Sequence, residues 1–290
     1  MKTAYKHIFL AALTITLALP SRSRAQDDQS SGQSDEDLAK QLQNPVASLI
    51  SVPFQNNFDF GGGINGDGFR YTLNFQPVIP VSLNDHYNLI IRTIIPFISQ
   101  SNEVNTGNQS GLGDITQSFF FSPKLPVFNG WIAGVGPAFL YPSATDHYLG
   151  SGKWGAGPTA VLLKQNGPWT YGILANQIWS FAGAGGRDSV NSLFLQPFLT
   201  YTTHTKTTFG LNTESTYDWE HHQWTVPING FVSQLVRIGK LPISFSLGAR
   251  YYADGPDGHP DWGLRFVITP LFPTGGQPAQ AQEPSSSGGK

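Results

Sequence analysis

Between Phe69 and Leu83 the chain reads FRYTLNFQPVIPVSL, and its apolar and polar positions alternate. Phe69, Tyr71, Leu73, Phe75, Pro77, Ile79, Val81 and Leu83 share one parity. Arg70, Thr72, Asn74 and Gln76 lead the other, which stays polar until Val78. Successive side chains of a strand point to opposite faces, so the stretch is a strand with one apolar and one polar face. Comparable runs recur along the chain. They predict twelve strands, near 46–60, 69–83, 87–100, 113–124, 131–143, 153–165, 169–182, 190–203, 207–220, 223–237, 243–254 and 262–272.

The connections alternate in kind. Those at 84–86, 125–130, 165–168, 204–206 and 239–242 are mostly tight. Those at 61–68, 101–112, 144–152, 183–189 and 255–261 are longer and rich in Gly, Asn and Asp, with 221–222 the one short member of that set. Short turns on one side and longer loops on the other are the pattern of a transmembrane antiparallel up-and-down β-barrel. The fold class expected is therefore all-β, with an even strand number that puts both chain ends on the short-turn side.

Tryptophan placement decides what the apolar face meets. All seven tryptophans of the chain fall near strand ends and on the apolar parity. Rings with a polar handle settle at membrane–water interfaces and form two girdles. Trp131 and Trp169 are expected at the periplasmic girdle, and Trp154, Trp179, Trp219, Trp224 and Trp262 at the outer one. Lipid of an outer membrane is then the partner of the apolar face, and the polar parity becomes the lumen.

The lumen parity carries Asp59, Arg70, Asn74, Arg92, Asp114, Lys153, Glu214, Asp218, Arg250 and Arg265, together with Phe120, Phe194 and Phe198. Two readings follow: the charges pair across the lumen and brace it, or they form a polar constriction that selects solutes. The apolar members suit a small hydrophobic or aromatic solute better than a sugar or an ion. Gly134, Gly136, Gly155 and Gly157 share this parity in adjacent strands and leave a smooth patch that something bulky can approach. Pro53, Pro77, Pro80, Pro96, Pro137, Pro158, Pro197, Pro227 and Pro270 fall inside strands. Proline cannot donate to a ladder, so each implies either a local irregularity or a gap through which a solute leaves sideways.

Ahead of the barrel lie two further segments. Residues 1–25 read as a signal peptide, with Lys2 and Lys6 before the apolar run Ile8–Leu19 and small residues at Ser23 and Ala25 for cleavage after Ala25. The polar stretch 26–45 contains Ser34-Asp35-Glu36-Asp37, an N-cap with acids in the first turn, so a short helix is expected there. It is either solvated in the periplasm or tucked into the mouth or lumen of the barrel. Residues 273–290, rich in Pro, Gly, Ser and Gln, read as a disordered tail.

Composition narrows function. Of the 290 residues only 12 % are charged, and 13 % are aromatic. The first 25 residues hold four of the 17 basic side chains and no acid, so the mature chain has a formal charge of about −6. No basic stripe is left to neutralise phosphates, which disfavours nucleic acid. No cysteine is present, so disulfides contribute nothing. No GxxxxGK loop or HExxH helix occurs. His221-His222 lacks a third metal ligand, and Ser143, Asp146 and His147 read as loop polarity. No cofactor, metal or catalytic residue is expected.

The strings DLAKQLQNPVASLISVPFQNNFDFG, SGLGDITQSFFFSPK, GSGKWGAGPTAVLLKQ, WTYGILANQIWSFAG and LNTESTYDWE, with the opening stretch, resemble the family named after the meta-pathway of phenol degradation. The resemblance runs from about Asp37 to Phe272. It implies a Gram-negative outer-membrane transporter with a role toward aromatic compounds, and it supplies no site residues. The last strand, WGLRFVITPLF, resembles the signal read by the outer-membrane barrel assembly machinery. The function expected is passive diffusion of small hydrophobic or aromatic solutes. A non-conducting structural or binding barrel and a membrane-embedded lipid hydrolase are the alternatives.

Overall fold

Alternating runs that share a register form one antiparallel wall. The computed structural model describes residues 34–104 and 107–273. The signal peptide, the start of the polar segment and the C-terminal tail lie outside the described residues. Among the described residues one helix, α1 (Asp35–Gln41), precedes the strand segments β1 (Leu49–Ser51), β2 (Phe54–Gly62), β3 (Gly68–Phe75), β4 (Val78–Ser82), β5 (Tyr87–Ser101), β6 (Asn108–Leu112), β7 (Ile115–Pro123), β8 (Trp131–Tyr141) and β9 (Lys153–Asn166). Then come β10 (Trp169–Gly183), β11 (Asn191–Thr202), β12 (Thr207–Thr213), β13 (Ser215–Asp218), β14 (Gln223–Thr225), β15 (Pro227–Ile238), β16 (Leu241–Tyr252) and β17 (Trp262–Pro273). Five pairs of segments are halves of single crossings: β1 with β2, β3 with β4, β6 with β7, β12 with β13, and β14 with β15. The twelve crossings pair in sequence order, and β17 pairs back onto both β1 and β2. The result is a closed 12-strand antiparallel barrel, the fold class the alternation predicts.

The prolines interrupt strands without opening the wall. Where Pro53 and Pro77 cannot donate, Gln76 N donates to Pro53 O (2.9 Å), Thr93 N to Pro77 O (3.1 Å) and Gly113 N to Pro96 O (2.8 Å). Register is kept across the break, since Ser51 faces Val78 and Phe54 faces Phe75. These positions are local irregularities, and the lateral gap considered from sequence is not formed there. A second departure lies at 101–112, expected as loop throughout. Asn108–Leu112 instead forms β6, paired with Phe97–Ser101 of β5. Between β6 and β7, residues 113–115 oppose only 95–96, a one-residue bulge that hid the crossing's true start from a strict period of two.

The outward parity is apolar and exposed. On β2 and β3 it builds a ladder of cross-strand aromatic pairs, Phe54–Phe75, Phe58–Tyr71 and Phe60–Phe69, with ring centroids 5.1–5.2 Å apart. Phe97, Phe121, Leu162, Leu211, Leu247 and Leu264 extend the same exposed surface around the wall. Polar side chains on this parity are tied to aromatic ones: Asn56 accepts from Tyr71 Oη (2.8 Å), Gln117 from Tyr141 Oη (3.0 Å) and Gln177 from Trp219 Nε1 (3.1 Å).

The helix settles the choice that sequence left open. Ser34 caps it, its Oγ accepting from Asp37 N (3.1 Å). Its apolar edge does not face water. Leu38 and Ala39 are buried against Ala47, Leu49, Leu235 and Leu271, with Leu42 beside them. Seven residues are too few to hold a helix in water, so this burial stabilises it. Residues 46–48, expected as the start of the first strand, belong to this internal segment instead, because Val46 is drawn into the barrel.

Candidate functional site: the barrel interior

Inward-facing side chains sort into levels. Toward the long-loop end, four charges converge from four different crossings. Glu214 sits at the break between β12 and β13, where its carboxylate turns inward. Arg265 of β17 donates to it through Nη1 (2.9 Å) and Nη2 (2.7 Å), a fork-to-fork geometry. Arg250 of β16 adds a third bond from Nη2 (3.1 Å) and pairs with Asp59 of β2 through Nη1 (3.3 Å). Neutral groups complete the set. Asn57 accepts from Arg265 Nε (2.7 Å), Asn229 accepts from Arg250 Nε (2.9 Å), and Tyr252 Oη accepts from Arg250 Nη1 (3.0 Å). Two acids and two arginines balance, so the cluster adds no net charge to the lumen.

This cluster floors a cavity of about 480 Å³ whose walls also include Arg70, Thr72, Asn74, Glu103 and Phe194. Its roof is the loop after β16. Gly63 N donates to Gly258 O (2.8 Å), and His259 lies on the Tyr252 ring at 6.2 Å.

Below the charges the interior is apolar. Val46, Ile90, Phe120, Val161, Leu163 and Leu174 form one buried cluster, and Val78, Ile132, Phe194 and Phe198 pack on it. Val46 comes from the segment after α1 and the rest from the wall. Gly134 makes room for it: a Cβ there would stand 3.1 Å from Val46 Cγ1. Of the four glycines expected to form a smooth patch, only Gly134 lies under the segment. Gly155 lies against Ile178 of the neighbouring strand, and Gly136 and Gly157 meet carbonyls of Phe119 and Gln177.

At the short-turn end the internal segment divides the space. A cavity of about 160 Å³ lies between Leu42, Pro45 and Ala47 on one side and Gln76, Val78, Arg92 and Gln196 of the wall on the other. A second, of about 660 Å³, lies between Asn44, Val46 and Ser48 and the wall residues Asn88, Ser122, Lys124 and Gln165. Ion pairs hold the helix at this end. Asp35 receives Lys206 Nζ (2.7 Å) and Arg237 Nε (2.5 Å), and Glu36 receives Lys40 Nζ (3.0 Å) and His204 Nδ1 (3.1 Å). Burial works to raise the Asp35 carboxyl, but the bonds from Lys206 and Arg237 outweigh it and hold the group below its ordinary value. Bonds from Lys40 and His204 lower Glu36 likewise.

The structure therefore brings Asp59, Arg70, Asn74, Glu214, Arg250, Arg265 and Phe194 to one chamber, Phe120 and Phe198 to the waist below it, and Arg92 to the chamber beside the helix. Three residues of the lumen set lie elsewhere. Asp114, at the bulge, accepts from Ala144 N (3.2 Å), Ser151 N (2.6 Å) and Ser151 Oγ (2.7 Å), and so braces an outer loop. Lys153 donates to Ala184 O (2.9 Å) and Asp218 pairs with His221 (2.8 Å) at the same rim. Sequence reasoning missed Asn57, Asn229, Tyr252 and Gln196. Tyr252 shares the parity of Arg250, which was the available signal. Val46 left none, because no strand period covers it.

The tryptophans form two aromatic groups. Trp131 meets Tyr171 and Trp169 meets Tyr201 at the short-turn end, at 5.9 and 4.9 Å. At the other end Trp154 meets Tyr141, Trp219 and Trp224 flank Tyr217, and Trp262 stacks on Phe60 at 4.7 Å. Trp179 is exposed at that end without a ring partner among the described residues.

No protein-family model and no curated protein matches the sequence, so the resemblance to the phenol meta-pathway family has no such support. Solved structures do match. An outer membrane channel from Pseudomonas putida superposes with a TM-score of 0.59 at 18 % identity, covering 77 % of this chain and 94 % of that one. The NanC porin gives 0.48 at 12 % identity over 77 % and 98 % of the two chains. Outer membrane phospholipase A from Escherichia coli gives 0.43 at 10 % over 78 % and 90 %. The first of these likenesses shows the fold of an outer-membrane barrel.

Proposed function

We propose that this protein is an outer-membrane channel that lets small hydrophobic or aromatic solutes diffuse across the membrane. One observation carries the reading: the interior keeps a polar chamber of about 480 Å³ above a waist built from Phe120, Phe194, Phe198 and aliphatic side chains. A wide aqueous pore has no use for such a waist, whereas a solute with an apolar body loses little on passing it. The exposed apolar belt between two aromatic groups supports insertion in a bilayer, with the tryptophans as girdles. The likeness to an outer membrane channel supports the location, the N-terminal segment supports export from a Gram-negative cytoplasm, and the amphipathic β17 supports handling by the barrel assembly machinery.

Conductance in planar bilayers and solute-driven swelling of proteoliposomes test the reading. Passage of phenol-sized neutral solutes, with exclusion of disaccharides, is the expected result. A second reading has its own observation: paired lumen charges and an internal helix suit a barrel that binds or braces without conducting. It predicts neither current nor swelling. For a hydrolase, an esterase assay in detergent is the check. The described histidine rings that form hydrogen bonds do so with Glu36, Arg187, Asp218 and the Pro260 carbonyl, with no serine hydroxyl among them.

A further inference from the structure

Arg92 is the interior arginine whose cavity has no carboxylate among its lining residues. Arg250 and Arg265 are saturated by Glu214, Asp59 and their amide neighbours. Arg70 makes no hydrogen bond or ion pair among the described residues, but two carboxylates, Glu103 and Asp59, line its chamber. Arg92 lies one level down, and among the described residues it makes a single hydrogen bond, from Nη2 to the neutral Gln76 Oε1 (3.1 Å). No carboxylate of the described residues lies within ion-pair distance. Glu214, the acid of the level above, already receives three bonds from Arg250 and Arg265.

The guanidinium is a rigid fork that matches a carboxylate, and a cation held in a low-dielectric interior with no carboxylate bonded to it gains strongly from an incoming anion. Here Nη1 and Nε have donors to spare. The cavity they border also holds Gln196, whose amide makes no hydrogen bond among the described residues; apolar surface comes from Leu42, Pro45 and Ala47 on the facing segment and from Val78 beside Arg92 on the wall. Its volume of about 160 Å³ is close to the roughly 150 Å³ of a protein cavity known to admit benzene. A head that wants a guanidinium and a ring-sized apolar body together define the occupant.

We infer that Arg92, with Gln196 and the facing Leu42–Ala47 segment, forms a subsite for a small monocarboxylate with an apolar body about the size of one ring. The inference rests on the channel reading for its position on the solute path, and it names the solute class more narrowly than that reading does. The carboxylate docks on the free edge of Arg92, Gln196 turns its amide to the second oxygen, and the ring lies against Leu42 and Val78. The site lies between the internal segment and the wall, so selection by charge and selection by size act at one level.

The test uses the whole mature barrel in detergent, with benzoate as probe and benzamide as its neutral counterpart of equal shape, titrated calorimetrically at pH 7. Benzoate is expected to bind saturably and at least about tenfold tighter than benzamide, the difference that charge-assisted hydrogen bonds supply. Arg92→Gln should erase that preference, while Arg92→Lys, which keeps the charge and loses the fork, should retain part of it. Gln196→Leu should weaken benzoate about fivefold and leave the charge in place, so it carries the test if Arg92→Gln does not fold. Equal affinity for the two probes, no binding of either, or a preference unchanged in Arg92→Gln and Gln196→Leu overturns the subsite. Liposome influx of neutral phenol is measured alongside. Influx without Arg92-dependent binding removes the subsite and keeps the channel; Arg92-dependent binding without influx does the reverse.

Discussion

Glu214 is the side chain on which the upper interior turns, and replacing it by glutamine makes a quantitative test of that arrangement. The carboxylate accepts three charge-assisted hydrogen bonds at 2.7, 2.9 and 3.1 Å. Such bonds contribute about 1.5–3 kcal/mol each where water is excluded, and removing one partner of a buried ion pair costs about 3–5 kcal/mol. Both figures need reduction here. Glu214 keeps 21 % of its side-chain surface exposed to the chamber. Glutamine retains one acceptor oxygen, Arg250 retains Asp59 and Asn229, and Arg265 retains Asn57. A loss of about 2–3 kcal/mol is the expected outcome, read by urea unfolding in detergent with tryptophan fluorescence as the signal. The double variant Glu214→Gln with Arg265→Leu should recover about half of the loss, because no unpaired guanidinium is then left beside the amide. The single variant also changes the cluster from balanced to +1, which should shift current in planar bilayers toward anions. Stability within about 0.5 kcal/mol of the parent, or a double variant weakened by the sum of its parts, would refute the claim that these charges act as one unit.

Three further outcomes follow from the same structure. Leu38→Ala on the helix removes a fully buried side chain and should loosen its docking by about 2–4 kcal/mol, seen as faster proteolysis within residues 34–48 while the barrel resists. Docking of the helix should also depend on pH. The Asp35 and Glu36 carboxyls sit below their ordinary values of 3.8 and 4.5, so their contribution is complete above those values and is lost as pH falls through the lowered ones; current that stays flat from pH 6 to pH 3 would count against a helix held by these pairs. Gly134→Leu should collide with Val46 and Phe120, displace the internal segment and raise conductance, at a stability cost of about 1–3 kcal/mol.

Alternation with a period of two is a local property, and it made the outer surface legible. Each strand residue's neighbours on its own face are two positions away, so a single chain shows which parity is greasy, where it ends, and that tryptophan marks the ends. The twelve crossings, the closed barrel and the inward placement of Asp59, Arg70, Glu214, Arg250 and Arg265 all follow from counting that parity. It erred where the period breaks: at the Gly113–Asp114 bulge, which placed the start of a crossing in a supposed loop, and at Val46, which lies in no strand.

Phe69–Leu83 shows the division. Its sequence alone determined that Phe69, Tyr71, Leu73 and Phe75 face outward and that Arg70, Thr72 and Asn74 face inward. The closed structure decided what the inward side meets. Arg70 and Asn74 look into the upper chamber, and Gln76, where the strand breaks at Pro77, turns to Arg92. The partners of the inner charges come from crossings far apart in the chain, as Arg250 and Asp59 do across 191 residues. Which carboxylate reaches which guanidinium, and which guanidinium groups are left without one, depends on the curvature and register of the whole closed wall, and no local period carries that information.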